Sequence, residues 1–351
     1  MNTFFKTTLF TFFSSLFFIV SGQAQSCQCD KVFNTVKMTV ENNYAGWFDK
    51  VNFDNVKKYL EYSEPFKVST KSIANDSICA VTINQWMSYF YDKNMRVKYK
   101  AKDKNEVMPP PTLEIKDELV VFTIPYYGPN TGALIHDLLL ENQKKLEKSP
   151  VWVIDLRDSR GKDETAAMEL LSYLYTKPIV KYNTEIRMTP QNYDLWYQQY
   201  EKSSFEKLEG TARKQRMQEL DSIKAHFGRG YNAVGKMADT LTFNGIKPFP
   251  QKVGVLMNSK TEGAAELFIA LARQSEKVTT MGENSGGNVD YNLMINYPTY
   301  CASLTLEMPI QRRLWLEAGY AMDKVGLKPE VLLSGKNWVD QAYQKLQAMM
   351  K

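Results

Sequence analysis

Histidine is almost missing from this chain: His136 and His226 are the only two in 351 residues. That leaves no histidine cluster to ligate a metal, and neither residue falls in a motif that would make it a general base. Cysteine is scarce as well, at four residues, and Cys27, Cys29, Cys79 and Cys301 have no histidine close in sequence to activate a thiol. The 44 lysines and arginines face 39 acidic residues, a net charge of +5 spread in mixed patches. No basic stripe forms, so nucleic acid is not an expected partner. Beyond the N-terminal segment no apolar run is long enough to cross a bilayer. Repeats and low-complexity tracts are absent too, and no cofactor or metal is expected.

What is present begins with a leader. Lys6 is the only charged side chain before Asp30, residues 9–20 are apolar and phenylalanine-rich, and Gly22-Gln23-Ala24 supplies small residues for cleavage. Residues 1–24 therefore read as a secretory signal peptide, which places the mature chain in the periplasm or outside the cell. Lipid attachment at Cys27 is the alternative, although Ala24-Gln25-Ser26 is a poor lipobox. In an oxidising compartment four cysteines allow three full pairings. Cys-x-Cys bridges itself with difficulty, so Cys27 or Cys29 is expected to pair with Cys79, with Cys29–Cys79 as the candidate bridge.

About 325 residues follow the leader, enough for a large domain and a small one. Residues 25–107 read as an N-terminal helical domain. Val32, Phe33, Val36 and Val40 recur at helical spacing, as do Ile83, Trp86, Met87 and Phe90. Met108-Pro109-Pro110-Pro111 breaks any helix and serves as a linker at 108–111. From 112 to 351 the pattern changes. Residues 119–124 and 151–156 read as strands, and residues 131–146 and 164–175 as helices, an alternation that predicts an α/β core with a largely parallel sheet. An aromatic and charged insertion at about 191–240 carries Tyr193, Trp196, Tyr197, Tyr200 and Phe205. It is either a helical lid or an excursion that packs its aromatics on the core. The α/β pattern resumes at Val253, and a helix from Trp338 closes the chain.

The most informative stretch is Thr261-Glu262-Gly263-Ala264-Ala265-Glu266. It follows the apolar run Val253-Gly254-Val255-Leu256-Met257-Asn258 and precedes the helix-like Leu267-Phe268-Ile269-Ala270. A strand entering a tight turn and then a helix is a place to mount a nucleophile, because free backbone N–H groups there can hold an oxyanion. Here the centre of the turn is a glycine.

Four stretches, in order and with matching spacing over roughly residues 115–335, resemble the C-terminal-processing, or tail-specific, serine peptidases with a tricorn-type core. Val153-Ile154-Asp155-Leu156-Arg157-Asp158-Ser159-Arg160-Gly161 is similar to the family's strand and glycine loop, and Thr261 to Glu266 to its nucleophile turn. Gly282-Glu283-Asn284-Ser285-Gly286-Gly287 and Gly326-Leu327-Lys328-Pro329-Glu330 match its two later loops. The N-terminal part resembles the helical domain of a compact bacterial branch without a PDZ domain. The resemblance implies a ClpP/crotonase-like α/β core carrying an N-terminal helical domain and a helical insertion.

It also implies a site. The serine position falls on Gly263 and the histidine position on Asn94, which ends Tyr89-Phe90-Tyr91-Asp92-Lys93-Asn94; Asp323 stands in the zone of the family's acidic residue. A serine hydroxyl needs an adjacent base, and an asparagine amide is none. The other branch's lysine would lie within residues 284–291, which contain no lysine. Arg160 and Lys162 add bulk and charge where glycines are usual, and Glu262 reads as structural. Ser259 and Ser285 are the nearest serines, Ser285 reading as a loop hydrogen-bonder. Gly161, Thr261, Ala264, Gly286, Gly287 and Tyr291 are expected to line a peptide cleft. The expectation is an inactive homologue that binds extended peptides or unfolded protein. The alternatives are an endopeptidase using a non-standard residue, or a scaffold whose cleft has no ligand.

Overall fold

A computed structural model describes residues 27–99, 108–228, 230–233 and 236–351. The leader expected at 1–24 and the stretch 100–107 lie outside the described residues. Six strands form the central sheet, in the order Val331–Leu332, Val278–Gly282, Lys252–Met257, Val151–Asp155, Leu119–Thr123, Thr112–Lys116. All neighbours are parallel except the edge strand Thr112–Lys116, which returns antiparallel on Leu119–Thr123. Val151–Asp155 is buried along its whole length, as a near-continuous apolar strand between parallel neighbours must be.

Its side chains alternate between two cores. Trp152 and Ile154 face a layer made by helices Thr131–Glu141, Met168–Leu174 and Ala264–Ala272. Val151 and Val153 face the C-terminal helix Trp338–Ala348 through Trp338, Ala342 and Leu346. Gly254 permits that second contact, because a Cβ there would meet Leu346 Cδ1 at 3.1 Å. The result is an α/β core with a helical layer on each face.

A second, antiparallel sheet joins Arg96–Tyr99, Thr184–Arg187, Tyr231–Ala233, Tyr291–Pro298 and Leu304–Arg313. The N-terminal helices Cys29–Asn43, Val56–Ser69 and Asp76–Met87 close over it. Phe33, Val40, Trp86 and Phe90 share one continuous core with Ile295, Tyr297, Leu306 and Met308. Tyr193, Trp196 and Phe205 of the insertion are buried in that same core, and Tyr200 donates a hydrogen bond to the Met294 carbonyl at 2.5 Å. The aromatics of the insertion thus pack inward. Arg213 and Arg216 lie against the rings of Phe205 and Trp196 on its outer side.

The N-terminal region is mostly helical, as expected, and ends in the strand Arg96–Tyr99, paired with residues 304–307. The partner lies about two hundred residues on, and no local periodicity announces such pairing. Two helix bounds are corrected. The helix expected over 131–146 breaks at Asn142 into Thr131–Glu141 and Gln143–Leu146. The helix expected over 164–175 opens with a 3₁₀ turn and is regular only over Met168–Leu174.

Cys29 is bridged to Cys79, the expected pair, and Cys27 to Cys301. The first bridge ties helix Cys29–Asn43 to Asp76–Met87 and the second anchors the start of the described chain to the antiparallel sheet. Replacing Cys29 and Cys79 by serine removes a cross-link spanning 50 residues and is expected to cost about 2–4 kcal/mol. The check is a lowered urea midpoint of the double variant against the oxidised parent.

Candidate active site

Strand Lys252–Met257 ends at Asn258, and the turn that follows is tied to the neighbouring strand by Thr261. Its hydroxyl donates to the Leu156 carbonyl at 2.7 Å and accepts from Asn258 N–H at 2.9 Å. Thr261, expected in the cleft, is instead fully buried. Gly263 follows with φ 67° and ψ −123°, and helix Ala264–Ala272 begins immediately after it. A Cβ at Gly263 would lie 2.4 Å from the carbonyl oxygen of Gly161. The strand Arg160–Gly161, paired with Tyr126–Tyr127, therefore sits hard against the turn.

Glu266 joins the turn to the glycine loop. It is fully buried, yet its two oxygens accept four hydrogen bonds. Gly263 N–H donates at 3.1 Å, the Ser285 hydroxyl at 2.5 Å, and the N–H groups of Gly287 and Asn288 at 2.8 Å each. Burial raises the Glu266 pKa and these donors oppose the rise. Ser285 also accepts from Leu327 N–H at 2.6 Å, which links the loop to the closing motif. Gly286 donates to the Thr261 carbonyl at 2.8 Å. Gly286 and Gly287 are thereby parts of the frame and line a neighbouring groove, not the cleft.

The cleft has a volume of about 980 Å³ and brings together Asn94, Gly161, Gly263, Ala264 and Tyr291. Asn94 is buried beside the turn; its N–H donates to Asp92 Oδ1 at 2.8 Å and its side-chain amide donates to the Tyr291 carbonyl at 3.1 Å. Lys93 spans the same gap, donating to Glu262 Oε1 at 2.6 Å and to the Gly286 carbonyl at 2.9 Å. Glu262 is in this way a structural residue. No described residue of the insertion lines the cleft. His136 faces Glu169 and His226 the Ser222 carbonyl, both outside it.

Asp323 lies behind Tyr291 in a reciprocal brace that sequence reading missed. Its Oδ1 accepts from the N–H groups of Val289 and Asp290 at 2.8 and 3.0 Å. Asp290 Oδ2 accepts in return from Met322 and Asp323 at 2.9 and 2.8 Å, and its Oδ1 takes the Trp315 indole N–H at 2.8 Å. Burial first, and then the charges of Asp290 and Asp92, hold the Asp323 carboxyl well above the ordinary aspartate range. Asp92 accepts from the Tyr44 hydroxyl at 2.8 Å, and burial pushes its pKa up to about 6. Of this cluster, the sequence singled out Asp323, in the zone of the family's acidic residue, and did not show its tie to Asp290.

Among the described residues, one group has metal-ligand proximity, Cys27, Asp76 and Cys301. Both of its sulfurs are engaged in a disulfide and offer no thiolate.

Two outcomes follow from this geometry. Glu266→Gln would turn one acceptor oxygen into a donor facing existing N–H or O–H groups, and an expected loss of about 2–4 kcal/mol is checked by chemical denaturation. Asp92 has a folded pKa above the ordinary value of 3.8, so the native state binds its proton more tightly than the unfolded chain. That contribution is full below the ordinary value and is lost as pH rises through about 6. Asp92→Asn should flatten the fall in stability across this window, measured as melting temperature against pH.

The fold matches a candidate peptidase from Parabacteroides merdae ATCC 43184 at a TM-score of 0.58 and 11% identity, over 91% of this chain and 97% of that one. Mature CPAF matches at 0.58 and 10% identity, over 92% and 95%. A lipoprotein from Streptococcus agalactiae matches at 0.51 and 12%, over 92% and 97%. At such identities the likeness speaks for the fold alone. No curated protein matches the chain in sequence. The model of peptidase family S41 matches residues 119–333, well over half of the chain. The strand, the turn and the two loops that frame the site fall inside that span, and the protein belongs to peptidase family S41.

Proposed function

We propose that this family member does not hydrolyse peptide bonds and that its cleft holds extended peptides or unfolded protein segments. One observation carries the proposal: the Gly161 carbonyl oxygen fills the space into which any side chain at position 263 would project. A hydroxyl there has no room, and the positive φ adds backbone strain for a residue other than glycine. Among the described residues, no serine, threonine, cysteine or histidine lines the cleft. Asn94, at the position the resemblance gives to the histidine, uses its amide as a donor and cannot take a proton near neutral pH. An active endopeptidase would need a nucleophile and a base within about 3.2 Å of each other, and no observation favours that alternative.

Peptide binding is supported by the open cleft and by the strand-like Arg160–Gly161 segment at its edge. Main-chain hydrogen bonding beside such a segment accepts many sequences. The proposal keeps 25–107 as an N-terminal helical unit, 108–111 as a linker and 112–351 as the peptidase-like part. Export through a leader at 1–24 to the periplasm or the cell exterior is supported by two disulfides, which persist in oxidising compartments. The Cys27–Cys301 bridge occupies the sulfur that lipid attachment would need.

The test is incubation with casein and with a fluorescent fluorophosphonate, alongside binding of unfolded casein by anisotropy. Binding without cleavage or labelling is expected. Specific labelling of any serine sinks the loss of catalysis, and failure to bind any extended polypeptide sinks the role of the cleft. Gly263→Ser is expected to remain unlabelled and to lose about 1–3 kcal/mol of stability, read as a lowered melting temperature.

A further inference from the structure

Three cations of the cleft already have carboxylate partners: Lys93 pairs with Glu262, Arg96 with Glu307 and Arg313 with Glu164. Lys98 adds a second hold on Glu307 at 3.0 Å. Burial works to raise the Glu307 pKa, but hydrogen bonds from Lys98 and Arg96, both to Oε2, and the nearby charge of Lys162 outweigh it. Lys162 stands beside this group, near enough for Glu307, Arg96 and Asp92 to act on its charge. Among the described residues its ammonium makes no hydrogen bond and no ion pair.

The location of Lys162 is set by backbone geometry. Its N–H and that of Asp163 both donate to the Tyr127 carbonyl, at 3.0 and 3.1 Å, so it follows directly on the short strand that presses against Gly263. The side chain is exposed to the cleft, and the enclosing walls still strip enough water to lower its pKa. An ammonium that lines the cleft without a hydrogen-bonded partner is open to a carboxylate brought by a ligand, which would supply a charge-assisted hydrogen bond.

We propose that the cleft selects peptide segments carrying a carboxylate and that Lys162 is the residue that pairs with it. This rests on the peptide-binding role proposed above and names the ligand class for that site. Two sources share the chemistry, an acidic side chain within the segment and the carboxylate at a chain end.

The experiment measures anisotropy of labelled octapeptides on the full protein. One peptide has blocked ends and a central glutamate, the second replaces glutamate by glutamine, and the third keeps glutamine but has a free C-terminus. Binding of the glutamate or the free-end peptide about ten-fold more tightly than the blocked glutamine peptide is expected, and which one gains identifies the source. Lys162→Met should abolish that preference and Lys162→Glu should reverse it, while Lys116→Met, on an edge strand away from the cleft, should leave it unchanged. Equal binding of all three peptides by the parent protein overturns carboxylate selection and leaves peptide binding standing. A preference that survives Lys162→Met overturns the role of Lys162. If no peptide binds, peptide binding and carboxylate selection fall together.

Discussion

The site depends on one buried carboxylate. Glu266 sits in the first turn of helix Ala264–Ala272, where a negative charge complements the helix dipole, and gathers four donors from two stretches of chain, the turn and the glycine loop. Without it the buried N–H of Gly287 would be orphaned, at a cost of about a kcal/mol or more, and the half-buried N–H groups of Gly263 and Asn288 would lose their shared acceptor. Its reach through Ser285 to Leu327 brings the closing motif into the same frame. The turn, the glycine loop and the last loop hold one another in place whether or not any chemistry occurs there.

Around this frame the chain closes a cleft from two sides. The parallel sheet delivers the turn at the end of a strand pair buried except at Lys252, and the antiparallel sheet carries Tyr291 against Asn94. Lys93 crosses between them as an ion pair that is half in water, so its contribution is positional more than energetic. The aspartate cluster behind Tyr291 is the contrasting case. Asp92, Asp290 and Asp323 are buried together, and each is stabilised by N–H or O–H donors more than by cations.

Much of the fold could be read directly from the residues. The apolar run at 151–155 allowed no role but a central strand, and the 253–257 run leading into Ala264–Ala272 announced strand, turn and helix. Asn94, Gly161, Gly263, Ala264 and Tyr291 do meet in one cleft, as the order of motifs suggested. Thr261 and the two loop glycines were misplaced because motif membership does not distinguish a residue that faces a ligand from one that holds the loop. The antiparallel sheet escaped notice since Arg96–Tyr99 and Leu304–Arg313 become strands only by finding each other. The Asp290–Asp323 brace escaped for the same reason.

Composition and local pattern determined, without any coordinates, that histidine is scarce and lies outside every motif, that glycine occupies the centre of the turn and that the core is α/β. Those are properties of residue identity and short-range periodicity, which are complete in the chain itself. Only the tertiary structure decided that the Gly161 carbonyl fills the volume beside Gly263, that Glu266 is the hub, and that Lys162 faces the cleft without a partner among the described residues. Each depends on atoms brought together from different elements, about twenty residues apart for Glu266 and its loop and about a hundred for Gly161 and Gly263. Packing and hydrogen-bond geometry set such distances, and neither is written into any single stretch of sequence.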